Sequence, residues 1–504
     1  MVKALTRQLA LNFRIRLLFL GWVCFGIMKT YASASENGNG RQAGRDVYRR
    51  PVPQLPLILD PSQILDVFSQ SLSVQIHATA FSLDERHNPI PHVVEDFSVS
   101  SDRLTYDFRL REMNFPDGPA LRADHFKASF ENAIRQRAYA YDRFRFVEGF
   151  EDFLNGEQLE LVGVRVEGER HVSIHLTRPD PRLIWKLSDP RYAIWQVETQ
   201  NLAHGLGPYR IGGISEERVL LERNPGFDSG PSVMEFVLAD RAEAIRGFDA
   251  KLYDDLFFYP LGSQEIESYQ GRANIERSFM VRSYVILLNP RTLHHVEERE
   301  YLVERLKTDQ LVNECFPDEQ PVNQIVPRAF LGHNHPTPTQ SIKRRPGLQR
   351  PLRILIVDGV GHEACLRDYI QQALQDEIPV EVSIRSNQAF HEAWLADQVD
   401  MVLPYVEVSV ESLYFGLFNP DAAFPILPKR VVQYARLLEE FETSYSRVDQ
   451  QQAASKICET VFGQRVYVPL FHSELRLVYQ PWYQSIRLPT QSLAFIPLTR
   501  MSLK

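Results

Sequence analysis

LDPSQILDVFSQSLSVQIHATAFSLDERHNPIPHVVEDFSVSSDRLTYDFRLREMNFPDGPALRADHFKASFENA, residues 59–133, carries the order of elements from which the rest of the chain can be read. A strand signal over residues 55–59 runs into Asp60-Pro61, a pair that starts a helix. Polar turns then separate short strands, and residues 103–110 alternate apolar and polar side chains as a half-buried strand does. Phe115-Pro116-Asp117-Gly118 has the residue types of a tight turn. Residues 122–137 follow with helical spacing, placing Phe126, Phe130, Ala133 and Ile134 on one face.

Further along, Val162, Val164 and Val166 alternate, as do Val172, Ile174 and Leu176, with a turn containing Gly168 between them; this predicts a β-hairpin. Pro179 and Pro181 stop it and a short apolar helix begins. Gly205-Leu206-Gly207-Pro208-Tyr209 leads into a strand, and its glycines suit a sharp bend that needs positive φ. Residues 282–289 (RSYVILLN) form an apolar strand, and residues 296–312 have the spacing of one helix. Residues 331–351 are polar, basic and proline-rich, a surface loop or hinge. Residues 352–357, a helix to Leu374 and residues 380–384 make a βαβ unit with parallel strands. A helix over residues 388–396, a strand over 399–404, a helix over 453–462 and an extended segment over 466–479 complete the reading.

Composition narrows the function. Lys3, Arg7, Arg14 and Arg16 precede the short apolar run of residues 17–28, and Ala32-Ser33-Ala34 has the small-x-small form of a signal-peptidase site. That run is too short to span a bilayer as a helix. Cleavage would leave 51 basic against 64 acidic residues, a balance of −13 that argues against nucleic acid or an anionic membrane as partner. Residues 35–50 are expected to be flexible, being rich in Gly, Asn and Arg. Cys315, Cys365 and Cys458 would remain, so one disulfide at most can form within the chain, with the pairing open. Their spacing is unlike a zinc site. His294-His295 and His333-Asn334-His335 are the histidine clusters; adjacent histidines point apart, and neither cluster is expected to hold a metal. The Gly-x-Gly pairs at Gly205 and Gly359 lack the further residues of a nucleotide-binding loop. No nucleophile–base pair or paired-carboxylate motif stands out, so neither catalysis nor a cofactor is expected.

The chain resembles the extracellular solute-binding proteins that feed peptide and nickel ABC importers. The resemblance rests on LDP (59–61), PHVVEDF (91–97), LTYDFRLR (104–111), FPDG (115–118), ADHF (123–126), the hairpin followed by P-x-P, GLGPY (205–209), LLERNPGF (220–227), Arg299 and Asp309, Val326-Pro327 and the closing extended segment through Trp482. Phe97, Gln310 and Ser409 depart from the family's usual Trp, Arg and Asp. The resemblance implies an α/β fold of the two-lobed periplasmic-binding-protein type (type II, large peptide-binding subclass) with two hinge crossings. Residues 1–34 would be a signal peptide, 51–283 with 474–504 the first lobe, and 284–473 the second. A solute, a short peptide or peptide-like molecule, would lie in the interlobe cleft, touch both lobes and so favour their closed state. An inner-membrane ABC permease would be the partner of a monomeric periplasmic receptor; a ligand-sensing regulator is the alternative. The residues implied at the cleft are Tyr284, Asn289, Tyr405, Glu407, Ser409, Glu411, Tyr414, Phe471 and His472. The glutamates could pair with a cationic group, and the aromatic rings could wall the ligand.

Overall fold

The computed structural model describes residues 46–503 apart from 65, 85–87, 139–140, 260, 327–343, 359–361, 404, 408–425, 428–432 and 485–501. The segment expected to be a signal peptide lies outside them, as does most of the proline-rich stretch over 331–351.

The opening stretch folds largely as its pattern dictates. In the strand Thr105–Leu110, Tyr106, Phe108 and Leu110 are buried while Asp107 is exposed. It sits between Val94–Val99 and His171–His175 in an antiparallel sheet that ends with Val164–Val166. The helix Ala123–Arg135 buries Phe126, Phe130, Ala133 and Ile134, and the Phe126 ring lies 6.1 Å from that of Phe108. Gly118 closes the turn at φ +113, where a side chain would be strained, and its N–H donates to the Phe115 carbonyl at 2.9 Å.

Three expectations for this region change. Residues 55–59 form no strand, because Leu57 and Ile58 point to solvent instead of alternating with a buried face. Asp60-Pro61 starts only the short 3₁₀ turn Pro61–Gln63; the longer helix Val67–Ile76 begins where Asp66 accepts the Ser69 N–H. Gly205 and Gly207 are required by close approach and not by positive φ: a Cβ on either would fall within 2.6 Å of a backbone oxygen of residues 75–76.

The segment expected to be flexible is ordered from Val47 onward. Val47–Val52 pairs in parallel with Val233–Leu238, at the edge of a four-stranded sheet. Its charge is accommodated inside: Arg50 and Asp255, both fully buried, meet at 2.6 Å, and the Arg50 guanidinium lies 4.9 Å from the Phe257 ring. The partner stands 205 residues away in sequence, which is why local composition misreads the segment.

The second region is built on the βαβ unit. Leu352–Val357 and Val380–Arg385 run parallel, joined by the helix Glu363–Leu374, and Met401–Leu403 flanks the first of them. Leu352, Ile354, Leu355, Ile356 and Val357 are all buried, as a strand covered on both faces requires. The single helix expected over 296–312 is two, Val296–Leu306 and Thr308–Cys315, because Lys307 adopts φ +44.

Two strands tie the regions together. Asn274–Leu288 and Tyr467–Tyr479 pair antiparallel from Asn274↔Tyr479 to Leu287↔Tyr467. At one end, Leu477, Val478 and Tyr479 pack into cores built from residues 48–275 together with Trp482 and Tyr483. At the other, Val285, Ile286, Leu287, Val466, Tyr467 and Val468 pack into a core drawn entirely from residues 285–471. The ladder slips between Ser278 and Arg282 and again between Tyr284 and Val285.

Two buried carboxylates anchor these regions with opposite pH signatures. Burial would raise the Asp400 carboxyl, but the Arg350 and Arg353 side chains and the Arg353 N–H outweigh it and hold it well below the usual range. Its stabilising contribution is complete above about pH 4 and is lost as pH falls. Asp400→Asn is therefore expected to cost about 3 kcal/mol at pH 7 and to flatten the acid limb of the stability curve; an unchanged acid limb in denaturant titrations would contradict this. Asp254 accepts the Arg49 N–H at 2.7 Å, while burial pushes it up to about 6. Its contribution is complete below about pH 4 and lost as pH rises through that raised value. Asp254→Asn should accordingly remove a decline in stability between about pH 4 and pH 6, measured by the same titration.

Candidate functional site

Midway along the paired strands, a third strand joins them. Tyr405–Glu407 pairs with Asn274–Leu288 on the edge opposite Tyr467–Tyr479. Three rows result: Tyr405, Tyr284 and Phe471; Val406, Ser283 and His472; Glu407, Arg282 and Ser473. Five of the nine residues implied by the sequence, Tyr284, Tyr405, Glu407, Phe471 and His472, are thereby brought together on adjacent strands. They stand between the two slips in the ladder, where the chain passes from one set of cores to the other.

The rows differ in character. Tyr284 and Phe471 stack at 4.2 Å with their planes 15° apart, the close approach that directly opposed strand residues allow. Phe471 is 2% exposed and belongs to the core, while Tyr284 is half-buried. In the next row, alternation turns the side chains to the other face. There the Ser283 hydroxyl donates to the Ile325 carbonyl at 2.8 Å, and His472 Nδ1 lies 2.7 Å from the same hydroxyl oxygen. A hydroxyl has one proton to give, so with Ser283 committed to Ile325, Nδ1 must carry the proton of this contact. That fixes the imidazole's orientation through the backbone of residues 321–326, which run beside the strand.

Asn289 falls elsewhere. It is fully buried; its side-chain amide donates to the Val399 carbonyl at 2.9 Å and accepts from the Arg291 N–H at 3.0 Å. It turns the chain at the end of the crossing strand and ties that turn to the Asp400 segment, through its own N–H to the Asp400 carbonyl. Ser409, Glu411 and Tyr414 lie outside the described residues.

Two residues missed by sequence reading complete the aromatic group. Phe316 lies 4.7 Å from the Phe471 ring and 6.0 Å from that of Tyr284, and the exposed His362 meets Phe316 edge-on at 5.3 Å. A disulfide explains their convergence. Cys315 and Cys365 are bonded, pinning the end of Thr308–Cys315 to the first turn of Glu363–Leu374; Phe316 and His362 flank those two positions. The remaining thiol among the described residues, Cys458, is buried. The pairing was open from sequence, so the adjacency of Phe316 and His362 had no signal there. Of the histidine clusters, His295 precedes the helix Val296–Leu306 while His333 and His335 lie outside the described residues. Among the described residues no three His, Cys, Asp or Glu side chains group as a metal site would need, and no helix is long and apolar enough to cross a membrane.

Chemically, this arrangement offers the half-buried Tyr284 ring and an oriented, half-buried imidazole where the strands pass from one set of cores to the other. Such a surface can hold a guest by stacking and hydrogen bonding.

Comparison with known proteins converges on one family. The model of bacterial extracellular solute-binding proteins, family 5 (middle), matches residues 88–408. The dipeptide-binding protein of Lactococcus lactis subsp. cremoris (strain MG1363) is 26% identical over 139 residues, covering 27% of this chain and 25% of that protein. Dipeptide-binding protein DppE of Bacillus subtilis (strain 168) is 28% identical over 144 residues, 26% of either chain. This chain thus spans about a quarter of the length of those two relatives. Among solved structures, Haemophilus influenzae OppA in complex with RPPGFSPFR aligns with TM-score 0.76 at 15% identity, over 91% of this chain and 99% of that one. NikA from Brucella suis in complex with Fe(III)-EDTA aligns with TM-score 0.74 at 16% identity, over 91% and 100%. These structural likenesses establish a two-lobed fold.

The stacked rings are separable by mutation. Phe471→Ala should cost about 3–5 kcal/mol, as deletion of a buried phenyl ring does, whereas Tyr284→Ala should cost clearly less because its ring is partly solvated. Equal losses in denaturant unfolding would make Tyr284 a core residue and remove it from the candidate surface.

Proposed function

The chain belongs to the bacterial extracellular solute-binding proteins of family 5, and on that premise we propose that it is a non-catalytic receptor that captures a small solute between its lobes and delivers it to an ABC importer. The solute is a short peptide or peptide-like molecule, in keeping with the dipeptide-binding relatives and with the peptide held by the OppA neighbour. The receptor works in the periplasm as a monomer, exported by residues 1–34 and recognised by an inner-membrane permease.

One observation carries this reading: two antiparallel strands serve two separate sets of cores, and the candidate rows stand where the strands pass between them. A ligand seated there touches both lobes, so its affinity differs between open and closed arrangements and shifts their populations. The ladder slips at residues 278–282 and 284–285 are the natural flexing points. On this reading residues 51–283 with 474–504 form one lobe, which the strand Val47–Val52 joins through its pairing with Val233–Leu238, and residues 284–473 form the other. Tyr284, Tyr405, Glu407 and His472, with Ser409, Glu411 and Tyr414, are the ligand-contacting residues on this reading, and Phe471 backs Tyr284 from the core. Glu407 and Glu411 pair with the ligand's cationic group, which a closed cleft strengthens by excluding water.

A thermal-shift screen of the processed protein against short peptides, amino-acid conjugates, sugars and chelated metals tests the proposal. A ligand at 100 times its dissociation constant should add about 2.7 kcal/mol of stability, and small-angle scattering should show compaction on binding. Glu407→Ala with Glu411→Ala should abolish the shift of a cationic ligand. Binding without compaction would rule out lobe closure, and stabilisation by none of the four classes would rule out the receptor.

A further inference from the structure

The lobes also meet at a second place, which shares no residue with the crossing strands. The helix Tyr434–Thr443 belongs to the second lobe, burying Tyr434, Leu437, Leu438 and Phe441 in its core. Near its C-terminal end, Glu442 is fully buried although it carries a charge, and its partners come from the first lobe. Arg145 meets both of its oxygens, and Lys186 Nζ donates to it at 3.3 Å. Lys186 is itself fully buried and also donates to Asp180 at 2.7 Å and to the Arg143 carbonyl at 2.7 Å, so its three donors are all engaged. Around this centre, Arg178 pairs with Glu439 at the exposed rim, the Arg182 guanidinium lies 5.3 Å from the Phe441 ring, and Arg103 lies 3.9 Å from the Tyr445 ring.

We propose that Glu442 is an electrostatic clasp that fastens the second lobe to the first without ligand. The proposal rests on the two-lobed receptor reading and adds a regulating contact to it. The physics suits a reversible fastener. On separation, Glu442 and Arg145 regain water while Lys186 keeps Asp180, so no charge is left buried and unpaired. The Coulomb attraction lost is largely offset by hydration gained, because a buried ion pair is close to balanced against its own desolvation. Such a contact holds the empty receptor partly closed while leaving the choice to a ligand. Apparent affinity then scales with the closed fraction, since a binding-competent state that is only partly populated weakens binding in proportion.

The test uses the full processed protein with cysteine-attached probes at Leu159→Cys and Leu395→Cys, both exposed and one in each lobe. Interlobe distance is measured in the absence of any ligand. Glu442→Gln should shift the distribution toward longer distances, and Glu442→Lys should shift it further, with circular dichroism unchanged. Glu439→Lys, which opposes exposed Arg178, should give a smaller shift in the same direction and serves if the Glu442 variants fold poorly. Where a ligand is in hand, Glu442→Lys should weaken it about tenfold. Distances unchanged in Glu442→Gln and Glu439→Lys overturn the clasp. Because the distance is read without ligand, that result leaves the receptor reading intact; conversely, a failed ligand screen leaves this measurement decisive for the clasp.

Discussion

One pair of antiparallel strands disciplines the whole molecule. Asn274–Leu288 and Tyr467–Tyr479 pair with each other from Asn274↔Tyr479 to Leu287↔Tyr467, so the two sets of cores share one ladder. Each strand must satisfy two cores: Leu477 and Tyr479 lie in one, Val468 and Phe471 in another. Between those obligations the ladder slips twice, and a third strand, Tyr405–Glu407, attaches there. The candidate rows therefore occupy the stretch of backbone between the two slips, where Phe471 is held in one core and its neighbour Tyr284 is half-buried. In the proposed receptor, a guest seated there alters the balance between two arrangements.

Well-partnered fixtures surround this stretch. Asp400 gathers Arg350, Arg353 and, through its backbone, Asn289, so the end of the crossing strand is locked to the βαβ unit. The Cys315–Cys365 bond holds Phe316 and His362 beside the Tyr284–Phe471 stack. Arg50 and Asp255 fix the strand Val47–Val52 in the core that also takes Leu477 and Tyr479. Charged groups here are interior fasteners with specific partners.

Local periodicity made much of this legible. The alternation of Tyr106, Phe108 and Leu110 and the spacing of Phe126, Phe130 and Ile134 announced a strand and a helix, because burial of one face imposes period two or 3.6 regardless of the partner. The βαβ unit was readable for the same reason. Failures came where a residue's environment is supplied from far along the chain. Arg50 looked like part of a solvated segment until Asp255 was placed beside it, and Lys307 looked helical until its left-handed backbone broke the helix. The candidate rows were foreseen as separate segments carried by resemblance. Their register was not, since nothing local sets which of Tyr405 or Glu407 stands opposite Tyr284.

The sequence alone determined the kinds and order of the elements, the two-lobed class and the membership of a solute-binding family, because side-chain patterning and motif order are properties of the linear chain. Only the tertiary structure decided which cysteines pair, that Asn289 is spent on a turn, that Phe316 and His362 join the aromatic group, and that Glu442 lies buried between Arg145 and Lys186. Those outcomes depend on contacts between residues tens to hundreds of positions apart, and such contacts are chosen by packing and desolvation over the whole fold.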